Sequence, residues 1–172
     1  MVKIIYLVRD PRAVYNSRKM IKPQSESPDF LDRMQLNCYK LYDNMNYLKN
    51  LDKRNPIRVR LKNNFLVIRY EDFAINYEKW LPKIYHFAGL PVFDRNYKSI
   101  LSWIEINTTS DEVRSEFSTT KNATVSVNKF INQLSFSEIK MIQNMCGREI
   151  FEFYGYKFYD ERTDFDLERS KW

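Results

Sequence analysis

Histidine, cysteine and glycine are scarce in this chain: one, two and three residues among 172. His86 and the widely separated Cys38 and Cys146 supply no cluster of metal ligands, which excludes a transition-metal centre built from nitrogen and sulfur donors. Gly89, Gly147 and Gly155 stand apart, so no glycine-rich phosphate loop is written in these residues. No apolar run approaches the ~18 residues that a membrane span needs, and the opening MVKIIYLVRD is too short for a signal-peptide core. Blocks of five or six like charges are missing as well, which argues against a nucleic-acid-binding tail. Lys and Arg still outnumber Asp and Glu by 28 to 22, a formal net charge of +6 that favours anionic partners. The 12 Tyr and 12 Phe are read as core rather than as stacking platforms.

The 172 residues, 44% of them hydrophobic, suffice for one sizeable core and suggest a single domain. Ile4-Ile5-Tyr6-Leu7-Val8 lacks polar alternation and predicts a strand buried on both faces; Phe65-Leu66-Val67-Ile68 repeats the pattern. Met34, Cys38, Leu41, Met45 and Leu48 recur at helical spacing and predict a long helix over about 29–50. Tyr77, Trp80, Leu81, Ile84 and Ala88 form a second stripe. A capping box, Ser135-x-x-Glu138, opens a last helix expected to bury Ile139, Ile142, Cys146, Ile150 and Phe153. Alternating strands and helices imply an α/β domain with a mostly parallel sheet over residues 1–159. The stretch 104–134, rich in Ser, Thr and Asn, reads as a long irregular segment, and 160–172 as a charged surface tail.

Arg9 then stands at the carboxyl end of the first strand, where open α/β sheets bind ligands. Asp10 is a good N-cap, and Pro11 falls at the first helical position. Ala13 and Ser17 lie four apart on one helix face, so Arg9 and the Ser17 hydroxyl could hold one anion between them, the guanidinium as a forked donor. The plainer alternative is an ordinary helix start, with Arg12 a solvated charge and Ser17 bonding back to its own helix. Glu71 and Asp72 read as caps for the helix containing Trp80, and Arg69 as a brace of the strand exit. Cys38 and Cys146 are either buried thiols or one disulfide.

The segment KIIYLVRDPRAVYNSR resembles the 3′-phosphate-binding segment of sulfotransferases that use 3′-phosphoadenosine 5′-phosphosulfate (PAPS), and RDPRAV is most similar to the Golgi carbohydrate branch. FLVIRYEDFAINYEKWLPKIYHFAGLP resembles the family's next strand and helix, and LSFSEIKMIQNMCGREIFEFYGY its closing helix. The likeness implies a P-loop-NTPase-like three-layer domain, here without its N-terminal part, in which Arg9 and Ser17 bind the 3′-phosphate of PAPS. STTKNATVSVNKFINQLSF resembles the cofactor-covering loop, which puts Lys121 near the cofactor; Phe130-Ile131 stands where the family has a Trp-Arg pair. The family's 5′-phosphosulfate loop, its general base and its membrane anchor have no counterpart in this sequence, so the isolated chain is expected to be inactive and its catalytic residues stay unassigned. Two sequons, at Asn107 and Asn122, fit a lumenal glycoprotein. The resemblance implies PAPS or its product adenosine 3′,5′-bisphosphate (PAP) and a glycan acceptor as partners, no metal and no nucleic acid, in the Golgi lumen. Two other readings are a non-catalytic nucleotide- or anionic-glycan-binding module and a small interaction protein descended from the same fold.

Overall fold

The computed structural model describes residues 2–21, 25–51, 63–91, 95–108 and 123–171. The elements run β1 (Ile4–Val8), α1 (Pro11–Lys19), α2 (Phe30–Lys49), β2 (Phe65–Arg69), α3 (Tyr70–Ile75), α4 (Tyr77–Ala88), α5 (Arg95–Thr108), α6 (Ala123–Gln133), α7 (Phe136–Cys146), α8 (Arg148–Tyr154) and α9 (Arg162–Arg169). β1 and β2 pair in parallel, with Ile4 opposite Phe65 and Val8 opposite Arg69, so both strands end at the same edge. A crossover carrying α1 and α2 joins them, the arrangement that parallel pairing demands. The chain is thus a mixed helix and strand structure with a small parallel sheet, consistent with the α/β expectation.

One core joins Val8 to Met34, Cys38 and Met45 of α2, Phe130 and Leu134 of α6, Ile139 and Ile142 of α7, and Ile150 and Phe151 of α8. The expected helix over 29–50 is α2, and its predicted stripe points inward at Met34, Cys38 and Met45. Cys38 and Cys146 form a disulfide with their Cα atoms 4.7 Å apart, which fastens α2 to the end of α7.

Four expectations change. β1 is not buried on both faces: Val8 is 2% exposed, but Ile5 is 45% and Leu7 55% exposed. Alternate residues of a strand face opposite ways, and the Tyr6 and Val8 side meets α2 and α8, where the Tyr6 ring lies against Tyr154 and its hydroxyl accepts from Asn44. Among the described residues the sheet has two strands, too few to bury the other side. The stretch expected to be irregular is helical over 104–108, in α5, and over 123–133, as α6; Ala123, Val127, Phe130 and Ile131, with Leu134 just beyond, form a buried stripe that the polar composition around them concealed. The single closing helix is two helices, because Gly147 sits at φ +82° between α7 and α8. That break shifts the helical phase, so Phe151 is buried in place of the partly exposed Phe153. The charged tail folds as α9: Phe165 is fully buried against Phe136 and Tyr159, and Arg169 donates to the carbonyls of Ile131 and Leu134 at the end of α6.

Candidate functional site

The site begins with the turn from β1 into α1. Asp10 caps α1, its carboxylate accepting from the Arg12 backbone N–H at 2.8 Å, and Pro11 occupies the first helical position. The same carboxylate is gripped by the Arg12 guanidinium, with Nη2 to Oδ2 at 2.6 Å and Nε to Oδ1 at 2.9 Å. Arg12 is 1% exposed and therefore no solvated charge. Its guanidinium lies 4.8 to 5.1 Å from the ring centres of Phe130, Phe151 and Tyr159, and Nη1 donates to Gln143, which in turn joins both backbone groups of Tyr159. A buried ion pair survives only with its remaining hydrogen-bonding groups satisfied, and Gln143 and the aromatic faces do that here.

A second clamp comes from the end of β2. Glu71 accepts from the Asp10 backbone N–H through Oε1 at 3.0 Å and from the Tyr156 hydroxyl through Oε2 at 3.1 Å. Burial pushes the Glu71 carboxyl above its ordinary range despite those donors, and burial together with the adjacent Glu71 pushes the Tyr156 phenol up as well. Arg69 forks onto Asp72, at 2.7 Å from Nε, and reaches the carbonyls of Tyr154 and Gly155 at the end of α8. It braces the strand exit as expected. Gly155 sits at φ +72°, which favours glycine, and a Cβ there would come within 3.1 Å of Arg69 Nη1 and press on that guanidinium. Glu71 and Asp72 do not cap the helix containing Trp80: they lie in the first turn of α3, and Asn76 precedes α4.

Between these clamps stands Arg9. Its guanidinium carbon lies 4.6 Å from the centre of the Tyr70 ring, and its Nε is buried with no hydrogen-bond partner. The residue lines a cavity of about 320 Å³ between β1, α1 and α2, together with Tyr6, Pro11, Asn37, Arg18 and Lys40. Among the described residues no carboxylate borders this space, and three cations do. Ser17 is on the exposed surface of α1 and is not among the cavity's lining residues; its neighbour Arg18 is. Ala13 packs into the core, so its small size serves packing. Lys121 lies outside the described residues, as do Asn122 of one sequon and Thr109 of the other. Phe130 and Ile131 are core residues of α6, while Lys129 is exposed. His86 is exposed in the last turn of α4.

Sequence reasoning missed Tyr70 as the partner of Arg9, and Arg18 and Lys40 as cavity-lining cations. The parallel pairing of β1 with β2 carried the missing signal, since it brings the residues after both strands to one edge. No helix among the described residues is long and apolar enough to cross a membrane, and no cluster of potential metal ligands occurs among them.

The family model described as "Sulfotransferase domain" matches residues 1–150. Carbohydrate sulfotransferase 1 of Homo sapiens is 29% identical over 169 residues, covering 91% of this chain and 39% of that protein. Carbohydrate sulfotransferase 3 of Tetronarce californica is 28% identical, covering 91% of this chain and 36% of its own length. The chain therefore spans less than two-fifths of these curated relatives. No solved structure gives a significant match. A match that runs through the strand exit of Arg9, the β2 exit and the cysteine-bearing α7 shows that the chain belongs to the sulfotransferase domain family.

Proposed function

We propose that this chain is the carboxy-terminal portion of a carbohydrate sulfotransferase of the Golgi lumen, which transfers a sulfuryl group from PAPS to a sugar hydroxyl. Arg9 receives the 3′-phosphate of the donor from the cavity wall, Ser17, exposed on α1, is assigned to the same phosphate by the family resemblance, and Lys121 adds a point charge. Arg9 is the observation that carries the reading: a guanidinium at the carboxyl end of a parallel strand, held by an aromatic face on the wall of a cation-lined cavity, with a buried donor that no protein group satisfies. Such a group fits a phosphate. PAPS, when bound, supplies the sulfuryl group and leaves as PAP.

The small sheet then belongs to a P-loop-NTPase-like three-layer domain. The 5′-phosphosulfate cradle and the general base lie outside these 172 residues, which hold three isolated glycines and a single, exposed histidine. Calorimetric titration of PAP and AMP into the chain tests the phosphate assignment. Charge-assisted hydrogen bonds contribute roughly 1.5–3 kcal/mol each, so without the rest of the pocket PAP should bind at about millimolar Kd and more tightly than AMP. Arg9→Ala should remove the preference, whereas Lys79→Ala, an exposed charge on α4, should leave the ratio unchanged. Equal binding of PAP and AMP by the wild-type chain would show the assignment to be wrong.

Arg18 and Lys40 support a second reading, a non-catalytic module that holds an anionic glycan in the same cavity. A sulfated disaccharide binding with PAP absent, and losing affinity in Lys40→Ala, would favour it.

A further inference from the structure

We propose that Tyr70, the residue after β2, is the positioning residue for Arg9: its ring sets the direction of the guanidinium, and so its capacity to tell a ribose 3′-phosphate from none. This inference rests on the reading of Arg9 as a phosphate ligand. Three observations lead to it.

The guanidinium carbon is 4.6 Å from the Tyr70 ring centre, within the range of cation–π attraction. Arg9 Nε is buried without a hydrogen-bond partner, so none of the usual anchors, such as a carboxylate or a carbonyl, fixes that end of the group. A long side chain without such an anchor samples several rotamers, and the aromatic face is what restricts them. The ring is itself held from behind: Tyr70 packs against Ala74 of α3 and Ala123 and Val127 of α6. Glu71 completes the arrangement by accepting the Asp10 N–H, which fixes the backbone one residue beyond Arg9. The Tyr70-Glu71 pair therefore locates both the side chain of Arg9 and the peptide that follows it.

A packing residue and a positioning residue differ in what their loss changes. Removing a packing residue lowers stability and weakens every ligand; removing the ring under Arg9 weakens only ligands that carry the 3′-phosphate. The experiment is titration of PAP and of AMP into the full 172-residue chain, with melting temperature recorded for each variant. Tyr70→Phe, which keeps the ring, should retain the PAP-to-AMP ratio. Tyr70→Leu and Tyr70→Met, which remove it, should weaken PAP by about tenfold while AMP affinity stays within about twofold. In an Arg9→Ala background the Tyr70 substitutions should have no further effect on the ratio.

The inference is overturned if either aliphatic variant keeps the ratio, or if it lowers the ratio by the same factor with and without Arg9. If neither aliphatic variant folds, the wild-type chain still decides: the Arg9 Nε–H resonance, assigned by its loss in Arg9→Ala, should be displaced upfield by the ring current of Tyr70, and an undisplaced signal overturns the inference. An Arg9→Ala chain that keeps the PAP preference instead refutes the phosphate reading itself, and this inference with it.

Discussion

Removing the Arg12 side chain strands Asp10, a carboxylate 3% exposed, among apolar residues. Arg12→Ala should therefore cost about 3–5 kcal/mol, the range for breaking a buried pair, and Arg12→Lys should recover only part of it, because a lysine gives neither the fork nor the stacking against Phe130, Phe151 and Tyr159. Urea unfolding of the three chains measures this; a loss under about 1 kcal/mol would mean that the pair contributes no more than a surface one. The second residue-scale expectation concerns Glu71, whose folded carboxyl is raised above the ordinary value of 4.5 chiefly by burial. The folded state thus holds this proton more tightly than the unfolded chain does. The stabilisation is complete below the ordinary value and is lost as pH rises through the raised one. Glu71→Gln carries no such charge, so the melting temperature of the wild-type chain, relative to that of the variant, should fall as pH is raised from about 4, and a pH-independent difference would count against it. Arg12 also marks a limit of reading residues alone: RDPR is equally compatible with a solvated or a buried second arginine, and the groups that decide, Gln143 and Tyr159, stand more than a hundred positions away.

Among the elements, α2 and α7 depend most on a covalent link. The Cys38–Cys146 bond closes 108 residues of sequence, so reduction, or the pair Cys38→Ser and Cys146→Ser, should cost about 2–4 kcal/mol. For a chain of this size that is about 10 °C in melting temperature, to be read by calorimetry with and without reductant. An unchanged melting temperature would mean that the packing of α2 against α7 suffices without the bond. Elements with a strong local period were legible: α2 from its apolar stripe, α1 from Asp10-Pro11, α7 from Ser135 and Glu138. The misread elements share a cause. Whether β1 is covered on its second face depends on partners in space, and the periodicity of Ile4 to Val8 is the same in either case. The inward stripe of α6 is diluted by Ser126, Asn128 and Asn132 between its apolar residues, and in α9 the lone anchor Phe165 is flanked by charges. Of the site, the strand-end arginine and the helix cap were readable because they are local. Tyr70 was not, since its relation to Arg9 is created by the pairing of Val8 with Arg69.

At the scale of the whole molecule, the 172-residue chain alone should transfer no sulfuryl group to any sugar. Under the proposed reading the general base and the phosphosulfate cradle lie outside these residues, and base catalysis and preorganised charge stabilisation each supply at least about a hundredfold. Transfer of a radiolabelled sulfuryl group above the no-protein background would contradict this, and an upstream-extended chain is the positive control. The cage around Arg12 has a different consequence, for the order in which the protein can be made. Arg12 leaves the ribosome more than a hundred residues before Gln143, Phe151 and Tyr159, which enclose it. At roughly 5–20 residues per second, the 108 positions between Cys38 and Cys146 take about 5–20 s to translate, during which the thiol of α2 lacks its Cys146 partner and the turn after β1 has no frame. The turn after β1 is thus synthesised well before its frame, and a chain interrupted short of α8 carries Asp10 and Arg12 without the Phe151 and Tyr159 rings that enclose the pair.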